Sequence, residues 1–239
     1  GYLINGRKIW TSTAQVADKI LLLARTAPHA DDKRGIDSLS LFYTDLNRNA
    51  CDIREIDKMG RKAVDSNEIF IDNLEVPSED LVGEEGKGFR YILHSMNPER
   101  ILIAAEAIGI GMEALRRASE YAKDRIVFGR PIGQNQAIQH PLAESWAQLE
   151  AVWMMCMKAA SLFDENKSCG AEANAAKYLC SEAGFTACER AVMTLGGMGY
   201  AKEFHVERLM REVMINRIAP VSQQMVLNFI SEKVLGLPK

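Results

Sequence analysis

The hydrophobic pattern of this chain changes period once, near residues 83–88, and that change limits the folds open to it. Before it, apolar residues come in short runs of strand length. After it, they recur at three- and four-residue spacing over segments too long for strands. Strands followed by helices predict an α+β fold, divided into a β domain at 1–83 and a helical domain at 84–239. The 239 residues hold one large domain or two modest ones, and 47% hydrophobic residues suffice for a core.

In the first part, residues 2–4 and 7–10 flank Asn5-Gly6, a strong short hairpin signal. Residues 19–25, 38–44, 53–56 and 67–71 are further candidate strands, with a polar loop at 27–37. This density predicts an antiparallel barrel or sandwich. Gly1 falls directly before a strand, so the natural start, and any targeting signal, is expected to lie outside the chain.

In the second part, helices are predicted at 88–96, 98–124, 134–165, 170–195, 203–216 and 221–234. Asn97 is expected as an N-cap and Pro98 as the first helical residue, which would place Glu99 and Arg100 in a first turn. Trp146, Leu149, Val152, Trp153, Cys156, Met157 and Ala160 follow helical spacing, widened by Met154 and Met155, and predict a bundle-core face. Four long helices with short connections predict an antiparallel four-helix bundle.

Composition excludes several functions. A net charge of −3 without a basic stripe argues against nucleic acid. No run approaches the roughly 18 apolar residues of a membrane span. Cysteines 51, 156, 169, 180 and 188 form no C-x-x-C pair, which predicts free, buried thiols in a reducing compartment. Histidines 29, 94, 140 and 205 share no spacing, so no metal site is expected.

Three motifs carry a resemblance over essentially the whole chain. Met96-Asn97-Pro98-Glu99-Arg100, Arg125-Ile126-Val127-Phe128-Gly129 and Leu195-Gly196-Gly197-Met198-Gly199-Tyr200, in this order after a β-rich segment, resemble the acyl-CoA dehydrogenase family. The match is to the C-terminal two-thirds of a member. The resemblance implies a preceding helical domain and earlier strands outside this chain, and hence an incomplete β domain. It also implies FAD as cofactor, an acyl-CoA substrate, an electron-transfer flavoprotein as oxidant, and a homodimer or homotetramer. The implied compartment is a bacterial cytoplasm or the mitochondrial matrix.

Such dehydrogenation needs a base above the alpha carbon, donors to the developing enolate oxygen, and a flavin to take the hydride. Most family members place the base late, in a Tyr-Glu-Gly-Thr-Ser-like stretch. The equivalent here is Ile218-Ala219-Pro220-Val221-Ser222-Gln223, so Ala219 occupies the carboxylate position. A minority, the isovaleryl and long-chain types, carry the base at the start of the helix, where Glu99 stands. Spacing alone would make Glu99 an ordinary first-turn glutamate; the resemblance makes it the base. Arg100 matches a site-arranging arginine, and Asn97 falls near the substrate. The Ala219 N–H is expected to bond the thioester oxygen, with Pro220 shaping the pocket.

The resemblance assigns cofactor contacts residue by residue. Trp10, Thr11 and Ser12 match a Trp-x-Thr or Trp-x-Ser element that packs on the isoalloxazine. Arg125 and Phe128 match Arg-x-x-Phe-Gly, whose arginine meets a neighbouring subunit's pyrophosphate, suited by its forked donors. Gln136 matches a glutamine near the adenosine. Gly196 and Gly197 permit close backbone approach, although a helix C-cap and turn explains them equally. Met193 and Val221 stand where relatives carry polar residues; Ser222 and Gln223 keep polar character. Two alternatives stay open: an acyl-CoA oxidase-like enzyme, and an inactive homologue serving as a binding or assembly subunit. These departures, with Val127 and Pro220, keep the second in play.

Overall fold

The protein is seen here as a computed structural model that describes residues 1–28 and 36–238. His29 and most of the expected loop at 27–37 lie outside the described residues. The chain divides into two compact units, Gly1–Ser95 and Met96–Lys239.

The first unit holds β1 (Tyr2–Ser12), β2 (Lys19–Arg25), β3 (Leu39–Asp45), β4 (Cys51–Glu55) and β5 (Ser66–Val76). β1, β5 and β4 form one antiparallel sheet in that order, and β2 pairs antiparallel with β3 in another. Both sheets contribute to one core, with Leu22 and Phe42 from one and Ile69, Leu74 and Val76 from the other. The two small sheets do not close into a barrel.

The Asn5-Gly6 hairpin does not form. Tyr2–Ser12 is a single strand because β5 offers a partner of equal length. The register shifts between Ile4 and Gly6, opposite Asn73, whose φ of 53° is left-handed. Asn5 Oδ1 accepts from the Asn73 N–H at 2.7 Å, so the turn-forming asparagine secures a bulge instead. The irregularity also resets the strand's alternation. Asn67, Ile69 and Ile71 face inward before it, Leu74 and Val76 after it. A strictly regular strand would turn the last two outward.

The second unit begins within α1 (Gly88–Asp124). There follow a short hairpin of β6 (Ile126–Val127) and β7 (Arg130–Pro131), then α2 (Gln136–Asp164), α3 (Gly170–Leu195), the four-residue α4 (Gly197–Tyr200), α5 (Val206–Ile218) and α6 (Gln223–Phe229). A π-helical turn, Ile230–Val234, extends α6, so the helix predicted at 221–234 changes type midway. The helix expected from 203 starts at Val206, after His205 in a left-handed conformation. Its core draws on α1, α2, α3 and α5: Ala104 and Ala107, Leu149 and Cys156, Ala176 and Ala187, Val206 and Val213. The many alanines, and two facing glycines, let α1 and α3 approach closely: a Cβ on Gly184 would lie 2.4 Å from the Ala107 carbonyl oxygen.

Two helical expectations are corrected. First, no new helix starts at 98. Pro98 lies inside the 37-residue α1. It removes one N–H, the helical partner of the His94 carbonyl, and the helix continues on either side. Asn97 therefore caps nothing, and Glu99 is not in a first turn. Second, the apolar face of α2 is narrower than predicted. Leu142, Ser145, Leu149, Cys156 and Ala159 are buried, whereas Trp146, Trp153, Met154 and Met157 stand on its exposed flank. The five cysteines are free and buried. Among the described residues, no helix is long and apolar enough to cross a membrane.

Candidate active site

The predicted site residues fall in both units. In the first unit, β1 slips against β5 between Lys8 and Thr11, which displaces Trp10 from the regular ladder. Trp10 adopts a φ of 62° and leaves 59% of its surface exposed. Thr13 is also left-handed, at 60°. Two non-glycine residues in this region within four positions is an uncommon arrangement that surrounding contacts must enforce. The Thr11 carbonyl accepts from Asn67 Nδ2 at 3.0 Å, and the Ser12 carbonyl from Thr13 Oγ1 at 2.7 Å.

In the second unit, Glu99 is exposed on α1. Leu102, one turn further along the same face, is 69% exposed. Arg100, the next residue, is half-buried. One of its terminal nitrogens donates to Asn97 Oδ1 at 3.1 Å, while its Nε is buried without a partner. Burial pulls its pKa down, and the Glu99 charge opposes that shift. Asn97 thus serves Arg100 rather than the helix end.

Arg125 follows α1 and is exposed, and Phe128 and Gly129 form the two-residue turn between β6 and β7. Both take left-handed φ values, 53° and 75°, as a tight hairpin of this kind requires. Phe128, at the tip, is 100% exposed. Gln136 is exposed at the first position of α2. Gly196, with a φ of 60°, ends α3, its N–H bonding the Val192 and Met193 carbonyls; Gly197 opens α4 beside it. Met193 is 74% exposed.

The late segment differs from expectation at one atom. The Ala219 N–H donates to the Ile215 carbonyl at 2.8 Å, closing the last turn of α5. That donor is engaged in the helix end rather than left free for a thioester oxygen. Pro220 follows through a cis peptide bond, and Val221 is half-buried. Ser222 caps α6, its Oγ accepting from the Met225 N–H at 3.4 Å. Gln223 donates to Glu182 on α3. Glu182 also takes Arg217 Nε at 2.7 Å, so one carboxylate grips both the end of α5 and the start of α6.

Sequence reasoning missed the polar residues behind this segment. Lys177 has no exposed surface, and its pKa is pushed down to about 8 by burial, then by the Arg100 charge, with Glu182 opposing. Asn216, also fully buried, donates to the Ile103 carbonyl at 3.0 Å and joins α5 to α1. Ser181 Oγ lies 2.6 Å from the Lys177 carbonyl and 2.8 Å from that of Asn216; its single proton serves one at a time. A polar residue repeating at three and four positions within an alanine-rich helix (Asn174, Lys177, Ser181) was the available signal.

Comparison with known proteins identifies the family. Residues 1–74 match the acyl-CoA dehydrogenase middle domain, and residues 86–235 match the acyl-CoA dehydrogenase C-terminal domain. Acyl-CoA dehydrogenase FadE12 of Mycobacterium tuberculosis is 35% identical over 240 residues, covering 100% of this chain and 61% of the relative. The structure of butyryl-CoA dehydrogenase from Megasphaera elsdenii superposes with a TM-score of 0.91 at 32% identity, covering 98% of this chain and 60% of that one. A chain from a structure described as the electron transferring flavoprotein of Acidaminococcus fermentans superposes with a TM-score of 0.91 at 31% identity, covering 98% and 61%. The chain therefore spans about three-fifths of the length of these relatives. Two domain models that between them cover most of its length, and relatives above 30% identity throughout, place it: the chain belongs to the acyl-CoA dehydrogenase family.

Proposed function

We propose that the full-length protein is an FAD-dependent acyl-CoA dehydrogenase in which Glu99 removes the proton alpha to the thioester. One observation carries this reading: the carboxylate at 99 is exposed, while the alternative position holds the methyl group of Ala219. The exposed Leu102 beside it offers an apolar surface on which an acyl chain can lie and exclude water from the carboxylate. Arg100, the next residue, is held in place by Asn97.

The side chains present suit a flavin. Trp10 and Phe128 are large aromatic surfaces left exposed on left-handed backbone, and the Gly196–Gly197 turn bears no side chain that would obstruct a cofactor. When bound, FAD supplies a two-electron acceptor for the hydride leaving the beta carbon. Trp10, Thr11 and Ser12 would hold its isoalloxazine. Arg125, Phe128, Gln136, Met193, Gly196 and Gly197 would hold its phosphates and adenosine, with Val221, Ser222 and Gln223 near the pyrimidine edge. On this reading residues 1–83 carry the flavin-facing strand, and residues 84–239 carry the base. The butyryl-CoA dehydrogenase and electron transferring flavoprotein structures named above support an acyl-CoA substrate and an electron-transfer flavoprotein as oxidant. The assembly proposed is a homotetramer of dimers. Bacterial relatives favour the cytoplasm over the mitochondrial matrix.

The engaged Ala219 N–H favours a second reading, a homologue that binds acyl-CoA without oxidising it. One experiment separates the two. Full-length protein is mixed anaerobically with a panel of acyl-CoA esters while flavin absorbance is followed. Wild type should bleach with at least one ester, and Glu99→Gln should bleach roughly 10²–10⁴-fold more slowly while still binding it. Near-wild-type bleaching by Glu99→Gln removes Glu99 as the base; no bleaching of a flavin-loaded wild type by any ester supports the second reading.

A further inference from the structure

The segment around Trp10 is held by a buried side chain that belongs to no motif named above. Asn67 lies on β5 directly opposite Thr11 and has no exposed surface. Each of its polar atoms is engaged. Its Nδ2 donates to the Thr11 carbonyl at 3.0 Å and to the Asp65 carboxylate, and its Oδ1 accepts from Gln15 Nε2 at 2.7 Å. Asp65 completes the ring. Its carboxylate accepts from the Gln15 N–H at 3.2 Å, and its carbonyl accepts from the Thr13 N–H at 3.2 Å. Arg48 grips the far side of the same turn, donating to the carbonyls of Ala14 at 3.1 Å and Ala17 at 3.0 Å.

These contacts span Thr11 to Ala17: they enclose one left-handed residue, Thr13, and begin at the residue that follows the other, Trp10. Left-handed backbone at a tryptophan and a threonine is unfavourable by itself and persists only where its surroundings over-determine it. A carboxamide has the chemistry needed here, two donor hydrogens and one acceptor oxygen in a plane. Aspartate would present no donor to the Thr11 carbonyl and would set a second carboxylate against Asp65. Leucine, of similar size, would answer neither the half-buried Thr11 carbonyl nor the Gln15 amide and would take one donor from Asp65.

We propose that Asn67 is a positioning residue for the flavin: its buried carboxamide fixes the Trp10–Thr13 backbone and so sets how the Trp10 indole meets the isoalloxazine. This rests on the proposed flavin contact of Trp10. It goes beyond that reading by assigning the geometry of the contact to a side chain that does not itself touch the cofactor.

The test uses full-length, FAD-loaded protein. Visible circular dichroism of the bound flavin is recorded for wild type, Trp10→Phe, Asn67→Leu, Gln15→Met and Leu74→Ala, together with amide hydrogen exchange of the segment 10–15 in each. Leu74 is buried in the same core but bonds nothing in this turn, so its variant reports a general loss of stability. Asn67→Leu should shift the flavin spectrum in the same sense as Trp10→Phe and speed exchange of the segment at least about ten-fold. Leu74→Ala should do neither selectively. Gln15→Met, which removes one surface arm of the network, should give a smaller change of the same sign, and it carries the test if Asn67→Leu does not fold. A flavin spectrum unmoved by the foldable network variants, with Trp10→Phe shifting it, overturns the proposal alone. A spectrum unmoved by Trp10→Phe overturns the flavin contact itself, and the positioning role with it.

Discussion

The buried ammonium of Lys177 lies 3.5 Å from the carbonyl oxygen of Arg217, at the outer limit of a hydrogen bond. So weak a contact does not offset the removal of a cation from water, which is why its pKa falls to about 8. The sign of the pH dependence follows. An unfolded lysine titrates at about 10.4, so between the two values the unfolded chain binds more protons than the folded one. The penalty for burying this charge is present below the folded pKa and fades as pH rises. Lys177→Met removes the penalty at every pH. At about pH 7 the variant should match or exceed wild type in stability, and the gap should move in favour of wild type by about pH 10. Urea unfolding of both proteins at the two pH values measures it; a gap independent of pH contradicts the buried-cation account.

Close packing of α1 on α3 gives a paired prediction from two glycines. A Cβ on Gly184 would fall 2.4 Å from the Ala107 oxygen and 2.9 Å from its carbonyl carbon, backbone atoms that cannot rotate away. Gly184→Ala should cost about 1–3 kcal/mol despite its better helix propensity. Gly109 is exposed on α1, and a Cβ there meets nothing within 4 Å. Gly109→Ala should therefore stabilise by roughly 0.5–1 kcal/mol. Denaturant midpoints of the two variants should lie on opposite sides of wild type. Equal midpoints would mean that the helices do not approach as described.

The thiols offer a check on both cores. Cys51 lies in the β unit, and Cys156, Cys169, Cys180 and Cys188 lie in the helical one, all buried. Burial pushes Cys188 up to about 12 and raises Cys51 as well, so neither provides appreciable thiolate near neutrality. A chromogenic disulfide reagent should label less than about one thiol per folded chain within minutes, and all five after denaturation. Rapid labelling of Cys51 alone would report an opened β unit.

How far the sequence spoke depended on whether local signals agreed with tertiary ones. The change of period near residue 83, the strands at 19–25 and 67–71, and α3 were legible because their apolar spacing was unopposed. Asn5-Gly6 and Asn97-Pro98 were misleading for a common reason. Each is a strong local turn or cap signal placed inside an element whose partner extends past it: β5 for the first, the core-lining course of α1 for the second. The same holds in the candidate site. Residue types suggested Glu99, Phe128 and the glycine turn as candidates, but the engagement of the Ala219 N–H depends on where α5 ends. Asn67 and the partners of Lys177 were not legible, because a polar residue within an apolar pattern does not declare what it bonds.

Arg100 and Lys177 make the last prediction, a coupling between two cations that share the interior of the helical unit. The Arg100 charge is among the causes that hold the Lys177 pKa down. Arg100 is itself shifted down by burial, and its Nε lacks a partner. Each charge therefore raises the cost of the other, and removing either should relieve the same repulsion. In a double-mutant cycle of wild type, Lys177→Met, Arg100→Gln and the pair, the double variant should fall short of the summed single effects by about 0.5–3 kcal/mol. Arg100→Gln alone should also shrink the Lys177→Met advantage at about pH 7 and move the pH at which that advantage begins to fade upward, towards the value of a free lysine. Additivity within roughly 0.5 kcal/mol, with that pH unmoved, would show that the two charges do not sense one another.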